Sequence, residues 1–387
     1  MTVPVAFAYD VPLPNRYAAT LQFLRTAAAM AAGGRRTAFL HGEASETSAD
    51  TLARMDLAPG PNLVLRSIFA PTRLPGALAR PHTALRIRRA ARGCAVVSRG
   101  HTGMTYLPIL RRFGAPMLLY EVHRLAGLSV AEAEAGGSLA DDAVRSPEAK
   151  LAAARDLQAA RAANGHVFLT DAVARAARAA GFPDRPALVL PSGTDLPPPP
   201  PPRPPDLDVI YAGKLSARKG LPDLLGAMAM LPERGLTVAG GSAAEVAALR
   251  NSAPPNVRFV GWQDQDDLTE LLARARVGAC LLPSGVDSVS DRFSSPMKLL
   301  QMMAHGLAVV ATDTAAVRAV ATDGRDALIV PPGDPGAAAR AIDAALRDDA
   351  LRSRLGGAAR ETAARYAWPE RAERLGRFVD GLADEAR

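Results

Sequence analysis

The ten residues Leu196–Pro205 read LPPPPPPRPP and divide the chain near its middle. Proline has no backbone N–H for a helix or a sheet ladder, so this run must lie outside any core, extended and stiff. It leaves residues 1–195 as one domain and starts a second at residue 206. Length agrees, because 387 residues exceed the roughly 250–300 at which a single core stops growing. With 48% apolar residues the chain can fill two cores.

Both halves alternate short apolar runs with helical patterns, which predicts parallel sheets flanked by helices. In the first half the expected strands are Val3–Ala8, Thr37–Leu40, Cys94–Ser98, Met117–Glu121, His166–Leu169 and Ala187–Leu190, with a helix over Asn15–Met30. In the second they are Asp208–Tyr211, Leu236–Ala239, Val257–Val260, Val277–Leu282 and Ala308–Ala311. Helices are expected over Leu221–Met230, Ala243–Asn251, Leu268–Ala275, Pro296–Ala304, Gly336–Leu346, Leu351–Tyr366 and Pro369–Ala383. Two doubly wound domains place their ligands at the C-terminal edges of the strands, so the expected site is a cleft between those edges. Neither half contains G-x-G-x-x-G, which argues against a nicotinamide-dependent dehydrogenase.

Charge is uneven. The net charge is +7, and between Asp56 and Glu121 there is no acid, while Arg66, Arg73, Arg80, Arg86, Arg88, Arg89, Arg92, Arg99, Arg111 and Arg112 all fall there. Such a stretch suits an anionic substrate, an anionic lipid surface or a plain solvated face. Nucleic acid fits poorly, since no binding motif or interleaved aromatics accompany the arginines. Cys94 and Cys280 are far apart in apolar contexts, which makes them reduced core residues rather than a disulfide or metal pair. The N-terminal MTVPVAFAYD carries no basic leader, and no run reaches the roughly 18 apolar residues of a membrane span. A cytoplasmic protein is expected, with peripheral contact to the inner membrane face as a further expectation.

Three places can carry chemistry. In YAGKLSARKG, Gly213 permits a tight turn after a strand, and Lys214, Arg218 and Lys219 then project from one loop, as a bound diphosphate requires. In SSPMKLLQMMAHG, Ser294 or Ser295 can cap a helix with Pro296 in its first turn, while Lys298 and Gln301 share a face. In LLYEVHRLAG, His123 stands just beyond a strand between Glu121 and Arg124. Asp264-Gln265-Asp266 has the outline of a metal-binding acid pair, but its place before a helix makes capping the better account, and no metal site is expected.

The second half resembles the group 1 (family 4 type) retaining glycosyltransferases, which share the GT-B fold. The resemblance runs in order through YAGKLSARKGLPDLL, LTVAGG, NVRFVGW, VGACLLPS, SPMKLLQMMAHGLAVVATD and DGRDALIVPPGDP to Trp368. In the first half YEVHRL and LVLPSGTDL match more loosely, and the helix after DVPLPN stands where the family has a loop near donor and acceptor. The resemblance implies two doubly wound Rossmann-like domains facing a central cleft: an acceptor-side domain 1–195, a linker 196–205, a donor domain 206–368, and a helix 369–387 crossing back to the first domain.

It also implies roles. Lys214 and Lys219 would hold the donor diphosphate, Lys214 standing where arginine is commoner. Arg218, Ser294, Ser295, Pro296, Lys298, Leu299 and Gln301 would complete the donor site with Gly213. Asn15, Arg16, His123 and Arg124 would face the acceptor, with His123 beside the reacting sugar. The family carries two glutamates eight residues apart; here these positions are Phe293 and Gln301, with Asp291 nearby. Gln301 can still bond a ribose hydroxyl, whereas Phe293 cannot orient a sugar.

The implied reaction moves a sugar from a nucleotide-diphosphate sugar to a glycan, a lipid-linked acceptor or a small molecule. It retains configuration and uses neither metal nor other cofactor. Two other readings stay open: a sugar-nucleotide-binding protein that has lost catalysis, favoured by Phe293 and Gln301, and a sugar-nucleotide epimerase on the same fold.

Overall fold

The computed structural model describes all residues except 1, 16, 59, 70–73, 116, 135–143, 199–204, 217–218, 283–292, 294 and 387; for 76, 77 and 132 only the backbone is described. Most of the proline run, and with it the expected hinge, therefore lies outside the described residues.

The chain forms two compact units. The first comprises Met1–Gly193, Ser288–Ser294 and Trp368–Arg387; the second comprises Thr194–Asp287 and Ser295–Ala367. Among the described residues the first holds a seven-stranded parallel sheet. Its strands are β1 (Val5–Ala8), β2 (Thr37–His41), β3 (Leu63–Ser67), β4 (Ala95–Arg99), β5 (Leu118–Val122), β6 (Gly165–Phe168) and β7 (Ala187–Val189). Their order is β3-β2-β1-β4-β5-β6-β7, so the direction of winding reverses between β1 and β4.

The second unit's sheet contains β8 (Leu207–Ala212), β9 (Leu236–Ala239), β10 (Val257–Gly261), β11 (Ala275–Cys280), β12 (Ala308–Thr312) and β13 (Leu328–Val330). The order β10-β9-β8-β11-β12-β13 puts its reversal between β8 and β11. At such a reversal the flanking helices leave on opposite faces and open a crevice at the strand ends.

The central strands are buried on both faces, as in β1, where all four residues are inaccessible. On one face of the first sheet, Phe7, Phe23 and Phe39 meet edge to face, with centroids 4.8 Å (Phe7–Phe23) and 6.0 Å (Phe23–Phe39) apart. The C-terminal helix Trp368–Glu385 completes this layer, adding Ala372, Leu375, Val379 and Leu382 to the core. It packs on the helix Ala18–Ala32. Asp380 grips Arg35 through two bonds of 2.8 and 2.9 Å and accepts the Val3 N–H at 2.9 Å. The indole of Trp368 lies against Gly193, where a Cβ would stand 2.2 Å from the ring.

The strand expectations hold in place, with ends shifted by one or two residues. Asp264 caps the helix Gln265–Arg274, accepting the Asp267 N–H at 2.9 Å. The helix expected from Pro296 starts at Met297.

Candidate active site

In the second unit, β8 ends at Ala212 and Gly213 carries the chain away with its N–H on the Ala239 carbonyl, 2.9 Å. Gly240 presses from the end of β9, where a Cβ would sit 2.0 Å from the Gly213 oxygen. At the other end of the loop, Gly220 has φ +75° and starts the helix Leu221–Ala229. A Cβ on Gly220 would overlap the Leu281 carbonyl at 1.1 Å. Only glycine permits both that backbone region and that contact. The loop is thus pinned between the ends of β9 and β11.

Lys214 is exposed and Lys219 half-buried on this loop. Among the described residues neither ammonium has an acidic partner within ion-pair distance. The loop's backbone is held by two other side chains. The Tyr211 hydroxyl donates to the Lys214 carbonyl at 2.7 Å. The Lys298 ammonium donates to the Lys219 carbonyl at 2.9 Å and lies 4.7 Å from the centre of the Tyr211 ring. Burial lowers the pKa of Lys298, with Cys280 opposing and Lys219 reinforcing the shift. Lys298, expected to meet the ligand, uses one of its three donors on the loop that presents Lys219.

Other sequence expectations sort by position. Pro296, not a serine, occupies the N-cap of the helix Met297–Ala304 and offers no side-chain cap of its own. Leu299 is fully buried in the unit's core, so only its backbone can face a ligand. Gln301 is partly exposed on the same helix. Arg218 and Ser294 lie outside the described residues, as does Asp291. Phe293 is 5% exposed and packs with the first unit's core, where no acid's role is open to it.

In the first unit, the C-terminal ends of β4 and β5 bring together a charged network. The Arg99 guanidinium donates to Nδ1 of His123 at 2.7 Å and to the Ala19 carbonyl at 3.1 Å. Arginine can only donate, so Nδ1 must be the acceptor and the ring proton sits on Nε2. That proton faces Glu121 Oε1 at 2.6 Å. Arg371, from the C-terminal helix, donates to the same oxygen at 3.0 Å, to Thr26 at 3.0 Å and to the carbonyls of Leu190 and Pro191.

Glu121 and Arg371 are 1% and 2% exposed. Burial works to raise the Glu121 pKa, but Arg371, the His123 hydrogen bond and Arg99 together outweigh it and hold it at about 2. Burial and then Arg99 push His123 down to about 4 against the opposing pull of Glu121. His123 is therefore neutral at neutral pH with both nitrogens engaged. It can orient a group beside it, whereas taking a proton would require Arg99 to leave.

Of the acceptor-side expectations, Asn15 folds its amide onto the Pro12 carbonyl at 2.5 Å and accepts the Tyr17 N–H at 3.2 Å, so it shapes the turn before the helix Ala18–Ala32. Arg124 is exposed, and Arg16 lies outside the described residues. Sequence reasoning missed Arg99 and Arg371. Arg99 had a weak signal, being an arginine at the end of an apolar strand; Arg371 had none. Among the described residues, no three His, Cys, Asp or Glu side chains gather as a metal site.

The profile of the family described as "Glycosyl transferases group 1" matches residues 206–348. This stretch is similar to the group 1 glycosyltransferases. The group 1 segment holds β8 to β13 and the whole loop around Lys214 and Lys219. Among curated relatives, the phosphatidyl-myo-inositol mannosyltransferase of Mycobacterium leprae is 31% identical over 181 residues, 45% of this chain and 46% of the relative. The D-inositol 3-phosphate glycosyltransferase of Xylanimonas cellulosilytica is 30% identical over 166 residues, 42% and 40% of the two chains. The chain thus spans about half the length of the curated relatives it matches.

Solved structures extend the likeness to both units. Sucrose-phosphate synthase from Thermosynechococcus elongatus superposes with a TM-score of 0.73 at 20% identity, covering 99% of this chain and 100% of that one. HepE of Anabaena, solved with UDP-glucose, gives 0.69 at 16% identity over 99% and 100%. The chain has the GT-B fold. Among the described residues no helix is long and apolar enough to cross a membrane.

Proposed function

We propose that the protein is a glycosyltransferase that takes a sugar from a nucleotide-diphosphate donor and passes it, with retention of configuration and without a metal, to a lipid-linked or other glycan acceptor. The observation that carries the reading is the loop Gly213–Gly220. It holds Lys214 and Lys219 at a strand-end reversal, without acidic partners among the described residues, on a backbone that glycine packing and Lys298 make rigid. A diphosphate leaving group gathers negative charge as the sugar departs, and fixed cations stabilise it without reorganising.

No protein nucleophile is needed in this reading. The departing phosphate takes the acceptor's proton within a site that keeps reactants close. Held neutral with its proton on Nε2, His123 orients the sugar beside the reacting carbon. Lys214 and Lys219 bind the diphosphate, and the N-terminus of the helix Met297–Ala304 assists. For the donor base, UDP is favoured by the UDP-glucose in HepE. For the acceptor, the names of two relatives favour an inositol carrying a phosphate or a phospholipid. A lipid acceptor would bring the protein to a membrane surface without crossing it.

The test is a thermal-shift panel of UDP, GDP, ADP, CMP and dTDP sugars with and without chelator, repeated on Lys219→Ala. A binder raises the melting temperature by mass action. One nucleotide class should do so, insensitive to chelator, and lose the effect in the variant. Product from that donor and an inositol phospholipid, with its anomeric configuration read by NMR, then tests transfer and retention. A shift in no case, or one abolished by chelator, would overturn the donor assignment.

The second reading, a sugar-nucleotide binder without turnover, is favoured by Phe293, which is buried where the family has an acid. Donor binding with neither transfer nor hydrolysis across the acceptor panel would select it.

A further inference from the structure

The arginine stretch has a structural focus away from the strand ends just described. The helix Gly76–Ala90 ends in Arg88 and Arg89, and a short turn leads through Arg92 to Cys94, the residue before β4. Two hollows share Arg92 and Cys94 in their walls. One, of about 250 Å³, also has Arg88 and Arg89, with Val96 and Ala115 as apolar floor. The other, of about 280 Å³, has Arg36 and Arg66, with Ala38 and Val64. Five arginines therefore ring a double hollow. Among the described residues none of the five has an acid within ion-pair distance, and none donates a hydrogen bond to another side chain.

Arginines on a protein surface ordinarily meet carboxylates, because unpaired like charges repel. Arg88 and Arg89 have a local explanation: they sit in the last turn of their helix, where cations offset the dipole. Arg36, Arg66 and Arg92 come from three other segments and have none. A guanidinium offers a planar fork that matches phosphate oxygens in pairs, so a concave set of five suits two or more linked phosphates.

The alternatives fit the shape less well. A membrane surface would select a convex or flat basic face rather than two hollows, and single-stranded nucleic acid would call for aromatic rings between the cations, of which the walls have none. β4 separates Cys94 from Arg99 by five residues, roughly 16 Å at the rise of an extended strand, so these hollows are not the His123 site.

We propose that the hollows around Cys94 form a second anion site, one that binds a small molecule bearing linked phosphates independently of the donor loop.

Cys94 makes the proposal measurable. It is half-buried in the shared wall, whereas Cys280 is inaccessible, so a neutral maleimide reports on Cys94 alone. With the full chain and tripolyphosphate as probe, saturating probe should slow labelling by about ten-fold or more relative to potassium chloride of equal ionic strength, since a site 90% filled leaves a tenth of it open. The protection should persist in Lys219→Ala, which removes the proposed donor contact and so separates the two sites. It should disappear in Arg92→Ala and in Arg36→Ala/Arg66→Ala, whose side chains are exposed and not part of a core. Four results would overturn it: no protection, equal protection by chloride, protection undiminished in both arginine variants, or protection by phosphatidylglycerol vesicles alone. The last would reassign the arginines to a membrane surface.

Discussion

Two regions of this molecule gather positive charge at the ends of parallel strands, and they do opposite things with it. In the first unit, Arg99 and Arg371 are buried and fully answered, by His123, Glu121, Thr26 and backbone carbonyls. In the second, Lys214 and Lys219 stand on a loop held at its ends, and among the described residues neither has an acid within ion-pair distance. A buried charge must be paired to be tolerated. A charge left unpaired on a loop that glycine packing has fixed is available to something that binds. The first region is a frame that holds one neutral histidine in one orientation; the second is, in the function proposed above, a receptor for an anion.

The comparison breaks most visibly at Arg371. Removing one partner of a buried ion pair leaves the other unanswered, so Arg371→Ala should lower stability by about 3–5 kcal/mol, read by urea unfolding. Lys214→Ala should change it by no more than about 0.5 kcal/mol, as surface substitutions do. If the two variants unfold alike, the distinction between frame and receptor is wrong.

Next in size is the effect on binding. A hydrogen bond to a charged group contributes about 1.5–3 kcal/mol, so Lys219→Ala should weaken nucleotide-diphosphate affinity by about 10–100-fold, measured by calorimetry with the melting temperature of the free protein nearly unchanged. Affinity preserved in this variant would remove the loop from the donor site.

Acid should act on the frame. His123 lies at about 4 in the folded protein against an ordinary 6.5, so between those values the unfolded chain takes up a proton that the folded one refuses, and stability falls as pH falls. Glu121, at about 2 against 4.5, extends the loss to lower pH by the same sign. Melting temperatures from pH 7 to pH 4.5 should decline, and His123→Gln, which cannot titrate, should decline less steeply. An equal or steeper decline in the variant would show that His123 does not carry the effect.

Salt gives the smallest and cleanest contrast. Exposed charges are screened more than buried ones, so 0.5 M potassium chloride should weaken nucleotide binding while leaving the cost of Arg371→Ala nearly unchanged.

Much of this was legible in the chain. The alternation of apolar runs located eleven strands because their residues are buried on both faces and read as continuous apolar segments. β3, one of the sheet's two edge strands, was missed because Val64 and Arg66 are exposed and the apolar run breaks. β13 has only three residues, too few for a period. The helix Gly76–Ala90 escaped because Pro81 interrupts it and arginines crowd its end.

The site divides the same way. The loop Gly213–Gly220 is local, eight residues with a glycine at each end, so its cations could be found by spacing alone. The frame is long-range: Arg99 lies 24 residues from His123 and Arg371 lies 250 from Glu121. No pattern within a window contains such a pair. Lys298 was found by its place on one helix face, which does not tell that its ammonium turns onto the Lys219 carbonyl.

The return of the C-terminal helix has a consequence for how the protein comes into being. A ribosome delivers residues 1–193 first, yet the unit they build lacks Arg371 for Glu121, Trp368 for Gly193 and the apolar face of Trp368–Glu385 until residues 194–367 have been made. The unit that is later in sequence, by contrast, has its sheet complete before that helix emerges. Synthesis therefore runs against the usual order in which N-terminal domains finish first. The first unit's frame closes last, so a chain released early would hold a finished second unit and an unfinished first one.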